Sequence, residues 1–306
     1  MDIAELDPAY RDGYRRVPAL PLHRRWAVLL ARRLFGFAPA PKIAPAISVT
    51  NERFGDAAVR VYRPDKVSGA ALLWIHGGGL VIGRPEQNDA ICVDFARQLN
   101  LVVVSVRYRL APENRYPAAI DDCLAAWSGL LERAGAFGID VNRIVVAGQS
   151  AGGGLAACLA QRVRDAGGPQ PAGQLLFCPM LDDRTAARRE LDPIKYFLWT
   201  NRANRSAWTW YLGVPPGSSE IAPYAAAARQ SSLQGLPPAW ISAGELELFH
   251  DEIRDYARRL QASGVTCQLQ VVPRAAHAVE LMAPQAPAIR ELWGSAYRFL
   301  GESLCL

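Results

Sequence analysis

The chain has 306 residues, half of them hydrophobic, and its 34 lysines and arginines exceed its 29 acids for a formal net charge of +5. That length and apolar content suffice for one large domain core with a smaller appendage. No apolar run reaches the roughly 18 residues of a membrane span, the basic residues are scattered among acids rather than massed for nucleic acid, and the six cysteines show neither metal-ligand nor disulfide spacing.

The first segment reads as helical up to Phe37. Within it Leu22, Trp26, Leu29, Leu30 and Leu34 recur at helical spacing, with Arg24, Arg25, Arg32 and Arg33 between them. Such a helix suits a membrane surface; more often it packs its apolar stripe on its own protein, and that is the reading adopted. The apolar stretch 26–30 is short, flanked by arginines and preceded by acids, which is not the pattern of a secretory signal. Cys92, Cys123, Cys158 and Cys178 lie in apolar surroundings that fit reduced core thiols, so a cytoplasmic protein is expected. Pro39, Pro41 and Pro45 mark a connector.

Strands at 47–54 and 57–63 suit a hairpin turning near Gly55 and Asp56. From Ala70 onward short apolar runs alternate with helical stretches, with strands expected at 72–75, 101–106, 144–147, 174–177, 239–242 and 266–272. That alternation predicts a mostly parallel sheet with helices on both faces. Between about Asp183 and Tyr224 it stops, and Tyr196, Phe197, Trp199, Trp208, Trp210 and Tyr211 crowd together. Inserted after a strand, these aromatics are expected to line an apolar cap over a site. There are no internal repeats.

Two strand ends carry chemistry. His76-Gly77-Gly78-Gly79 follows the first central strand. Three consecutive glycines cost chain entropy, and a loop whose bare N–H groups approach a reacting oxygen repays it; such donors stabilise an oxyanion by roughly 3 kcal/mol each. Gly148-Gln149-Ser150-Ala151-Gly152 lies between a strand and a helix, so Ser150 sits on a sharp, exposed turn. A serine nucleophile needs a base, and the base an orienting acid. Of the four histidines, His76 belongs to the glycine loop, His23 lies upstream of the sheet and His250 begins a helix. His277, in a loop after the last strand, is left as the base. The acid comes from the stretch 244–252, which offers Glu245, Glu247, Asp251 and Glu252. Glu247, in the turn just past a strand end, is favoured over Asp251, which suits a helix cap.

With these pieces the chain resembles the hormone-sensitive-lipase-like group of the α/β-hydrolases, the bacterial short-chain carboxylesterases. The resemblance runs from about Ala70 to the C-terminus and rests on His76-Gly77-Gly78-Gly79, Tyr108-Arg109-Leu110-Ala111-Pro112-Glu113, Gly148 to Gly153, Gly235-Leu236-Pro237-Pro238, Gly244 to Glu252, and His277. It implies an eight-stranded, mostly parallel sheet, with a helical cap from residues 1–45 and 183–224 and a catalytic domain from 46–182 and 225–306. It also implies Ser150 as nucleophile, His277 as base, and the N–H groups of Gly78, Gly79 and Ala151 as oxyanion hole. The expected activity is hydrolysis of short- to medium-chain esters through an acyl-enzyme, with no metal or cofactor. The expected partners are a small ester and, through the last strand, a possible second copy, with no nucleic acid and no stable membrane insertion. A lactonase or amidase would use the same triad. A lyase or a small-molecule receptor is a further alternative on this scaffold, although His277 argues against the receptor. Three positions depart from the family pattern: Gln149 for Asp or Thr, Glu247 for Asp, and Ala278-Val279 for Gly-Phe.

Overall fold

The computed structural model of the chain describes residues 1–18, 20–36 and 46–306. The connector expected at Pro39, Pro41 and Pro45, the helix end at Phe37 and the upper bound of a cap segment at residue 45 lie outside the described residues.

Eight strands form one sheet: β1 (Ile47–Phe54), β2 (Ala57–Pro64), β3 (Ala71–Ile75), β4 (Val102–Arg107), β5 (Ile144–Gln149), β6 (Gly173–Phe177), β7 (Ala239–Gly244) and β8 (Cys267–Val272). Their order is β1-β2-β4-β3-β5-β6-β7-β8. β2 runs antiparallel to both of its neighbours and every other pair is parallel. β1 and β2 are the expected hairpin, Phe54 facing Ala57 across Gly55 and Asp56. β3, β5, β6 and β7 are buried along their whole length, which is why they read as mostly apolar runs rather than alternating ones.

Successive side chains leave a strand on opposite faces, and two cores result. Leu73, Ile75, Val104, Val146 and Ile241 point one way, against α4 (Ala118–Glu132), α6 (Ala151–Ala166) and α9 (His250–Ala262). α2 (Arg25–Gly36), α5 (Ala134–Phe137), α7 (Asp183–Ala187) and α8 (Asn201–Leu212) join that side. Leu72, Trp74, Val103, Phe177 and Trp240 point the other way, against α3 (Asp89–Leu99) and α11 (Pro287–Leu304), with α1 (Pro8–Arg15) and α10 (Val279–Met282) alongside. Glycines set the spacing. A Cβ on Gly129 of α4 would stand 2.4 Å from Phe54 Cβ, so α4 lies flush on β1.

The apolar stripe of α2 corrects one expectation. Only Leu22, just before the helix, is buried; Trp26, Leu29, Leu30 and Leu34 face solvent. The side that packs carries Ala27, Val28 and Ala31, whose small side chains allow close approach. Arg32 fixes this orientation by donating to the carbonyls of Val81 and Ala111 and to Glu113. No helix among the described residues is long and apolar enough to cross a membrane.

Candidate active site

β5 ends at Gln149, α6 begins at Ala151, and Ser150 makes the corner at φ 54 and ψ −120. Few non-glycine residues adopt a positive φ, so the surroundings must over-determine it. They do. The Ser150 N–H donates to the Phe177 carbonyl at 2.8 Å, and the Ser150 carbonyl accepts from Met180 at 2.9 Å and Gly154 at 3.0 Å. The flanking glycines are forced by contact. A Cβ on Gly148 would lie 2.4 Å from the Gly152 carbonyl oxygen, and one on Gly152 2.0 Å from that of Ile75.

His277 occupies the loop between β8 and α10. Its Nε2 stands 2.8 Å from Ser150 Oγ, and its Nδ1 stands 2.5 Å from Glu247 Oε2. Glu247 lies in the turn after β7, and its other oxygen accepts the Gly244 N–H at 2.6 Å. With the ring proton on Nδ1, the side the carboxylate favours, Nε2 is left to accept from the serine hydroxyl. The ring packs edge-on to Phe249 with centroids 5.2 Å apart. From α1, the Tyr14 hydroxyl donates to the carbonyls of Ala276 and His277 at 2.8 and 3.0 Å. All three side chains are buried, so their mutual interactions are little screened by water. The extra methylene of Glu247 relative to Asp is accommodated by the second anchor on Gly244.

The other candidate groups point elsewhere. Asp251 is on the outer side of α9, 3.5 Å from Arg188. Glu245 accepts from the Arg274 N–H, and Glu252 accepts from Leu181 and Asp182. His250 Nδ1 lies 3.1 Å from the Gly244 carbonyl oxygen. His76 stacks on Tyr108 with ring centroids 4.2 Å apart, and burial pulls its pKa down to about 4.

The glycine loop after β3 passes directly over the serine corner. A Cβ on Gly77 would lie 3.3 Å from Ser150 Cβ. Gly78 and Gly79 hold φ 118 and φ 59. The Gly78 carbonyl accepts from Val81 and Ile82, which curls the loop, while the N–H groups of Gly78 and Gly79 make no hydrogen bond among the described residues. The Ala151 N–H is the first of α6, one of the free donors at a helix start. A Cβ on Gly79 would lie 2.0 Å from Cη2 of the Trp199 ring, so the indole packs directly against this loop.

Ser150 and His277 open into a cavity of about 790 Å³. Tyr196, Phe197 and Trp199 form one wall, and Val17, Leu20 and Leu34 from the N-terminal segment form another. Trp208 and Tyr211 instead sit deeper, buried in the core with Leu155 and Cys158.

One residue escaped the sequence reading. Glu280, at the start of α10, is buried beside the corner and accepts a hydrogen bond from Gln149 Nε2 at 2.5 Å. Gln149 is neutral, yet a carboxyl group stands next to the elbow after all, brought by the histidine loop. Burial pushes the Glu280 carboxyl above its ordinary pKa, with the Gln149 bond pulling the other way. The only sequence signal is an acid three residues past His277. Cys178 adds a third donor within 4.8 Å of Glu247 and His277. Burial pushes that thiol well up and keeps it neutral, and Nδ1 is already engaged by Glu247, so the group makes a poor cation site.

Residues 72–281 match a family model described as the alpha/beta hydrolase fold. An ethyl acetate hydrolase of Pseudomonas putida is 34% identical over 252 residues, covering 79% of this chain and 77% of that protein. Carboxylesterase NlhH of Mycobacterium tuberculosis is 34% identical over 294 residues, covering 89% and 88%. A solved bacterial heroin esterase superposes with a TM-score of 0.91 at 34% identity, covering 99% of each chain. The chain belongs to the α/β-hydrolase fold family, in its hormone-sensitive-lipase-like branch of esterases.

Proposed function

We propose that the chain is a serine carboxylesterase for short- to medium-chain acyl esters, with Ser150 as nucleophile, His277 as general base and acid, and Glu247 as the group that fixes the imidazole. The observation that carries this reading is the unbroken chain of hydrogen-bond contacts from Ser150 Oγ through both ring nitrogens of His277 to Glu247. As Oγ bonds to the acyl carbon, its proton passes to Nε2 and the carbonyl electron pair moves onto oxygen. The Gly78, Gly79 and Ala151 N–H groups receive that oxyanion. Collapse expels the alcohol with the proton from His277 and leaves the acyl group on Ser150. Water then repeats the sequence, releasing the carboxylic acid.

The test is hydrolysis of p-nitrophenyl esters of increasing acyl length. Ser150→Ala and His277→Ala should each lower kcat about a million-fold, and Glu247→Ala about ten-thousand-fold. Rates should peak at short to medium chains and decline for long ones. Undiminished turnover in Glu247→Ala would remove the acid from its role, and a Ser150→Ala enzyme that still reacts with a fluorophosphonate would dismiss the nucleophile. The chemistry of the cavity agrees with an ester whose acyl part is apolar. A cytoplasmic location is part of the same proposal; it is supported by six free cysteines, four of them buried, and cell fractionation checks it.

A further inference from the structure

α2 carries apolar side chains on two sides, and among the described residues only one of them is covered. Ala27, Val28 and Ala31 face the protein, and Arg32 clamps that side to the Val81 and Ala111 carbonyls. On the adjoining outward side Trp26, Leu29, Leu30 and Leu34 are 56, 51, 42 and 55% exposed. The spacing i, i+3, i+4, i+8 makes them one continuous stripe. A monomer rarely leaves a large aromatic and three leucines in one such row without use.

The charge around the stripe narrows what covers it. Residues 11–36 hold seven arginines and one acid, a net of +6, where the whole chain carries +5. Arg15, Arg16, Arg24, Arg25 and Arg33 are exposed. Burial, and then the charges of Arg24 and Arg202, hold His23 below its ordinary pKa. A row of Trp and Leu bordered by arginines suits the boundary between acyl chains and anionic headgroups.

The stripe also leads into the cavity. Leu34 belongs to both, and Val17 and Leu281, themselves exposed, line the cavity beside it. A surface that covers α2 therefore lies across the mouth of the space above Ser150.

We propose that the outer face of α2 is a docking surface for an anionic phospholipid bilayer, on which the protein rests peripherally with its cavity mouth toward the lipid. Binding is non-covalent and reversible, and it needs no spanning segment.

The experiment is co-sedimentation of the full chain with vesicles of phosphatidylglycerol and phosphatidylcholine, and with vesicles of phosphatidylcholine alone. Binding is read without substrate, so it stands or falls separately from the esterase reading. The protein should sediment with the anionic vesicles, and binding should weaken as salt rises. Trp26→Ser with Leu29→Ser, positions outside the cavity, should lower the partition coefficient at least about tenfold. Arg24→Glu with Arg25→Glu should lower it about fivefold or more per site. Both variants alter exposed side chains, so melting temperature and hydrolysis of a dissolved acetate ester should match the parent. Absence of binding to anionic vesicles overturns the proposal, as does binding that both variants leave intact. A parent protein that is dimeric by light scattering and becomes monomeric in Trp26→Ser/Leu29→Ser also overturns it, because the stripe is then covered by a second copy.

Discussion

Glu280 spends the hydrogen bond of Gln149 on a carboxyl group that has little contact with water. Burial raises its pKa above the ordinary value of 4.5, so the folded protein holds this proton to a higher pH than the unfolded chain does. The sign follows from linkage. Below the ordinary carboxyl range both states are protonated and the group is neutral in its effect. As pH rises past about 4.5 the unfolded chain ionises first and gains relative stability, until the folded carboxyl also ionises. Stability should therefore fall with rising pH across that window. Glu280→Gln keeps a hydrogen-bonding partner for Gln149 and removes the titration. Its denaturant midpoint should decline less between pH 5 and pH 8 than that of the parent; parallel declines would mean that Glu280 titrates as an ordinary carboxyl. None of this was legible locally, because the partner lies 131 residues away and neither residue belongs to a pattern that marks it. His277 and Glu247 were easier to find. Each follows a strand end, and a strand end is where an α/β sheet displays its chemistry.

The elements that hold the site divide the work unequally. β5 and β7 place Ser150 and Glu247 through main-chain pairing inside a sheet buried on both faces, which is also why the strands could be read to within two residues from apolar runs alone. The histidine loop lies outside the sheet, tied to the turn after β7 by the Leu246 N–H donating to the Ala275 carbonyl at 2.8 Å. It is held further by the Gln149–Glu280 bond on one side and by Tyr14 of α1 on the other, the tyrosine reaching two successive carbonyls. Tyr14→Phe removes those bonds and keeps the ring. About 1 kcal/mol of loop stabilisation should be lost, and kcat should fall about fivefold with a smaller change in KM. A KM increase at constant kcat would instead assign Tyr14 to substrate contact, since it also lines the cavity. The direction in which α2 faces was the least legible feature of any element. A helix apolar on two sides gives no internal sign of which side packs, and the deciding contacts are Arg32 to carbonyls 49 and 79 residues away.

Two open apolar features lie in separate parts of the chain: the outer stripe of α2 and the edge of β8. Among the described residues β8 ends the sheet, paired with β7 on one side only, and Val271 stands 39% exposed on it. An unpaired edge strand with an exposed apolar side chain is a template for another strand. A second copy related by a twofold axis would lay its own β8 alongside in antiparallel register, joining the two sheets into one. We carry this pairing forward as a proposal, and it is separable from lipid docking because the strand and the helix share no residue. Val271→Glu puts a charge on the edge without touching the core, so folding and hydrolysis of a dissolved ester should persist. Light scattering should then give the mass of two chains for the parent and of one chain for the variant. A parent that already has the mass of one chain at micromolar concentration ends the pairing, and a variant that stays dimeric moves the interface away from β8.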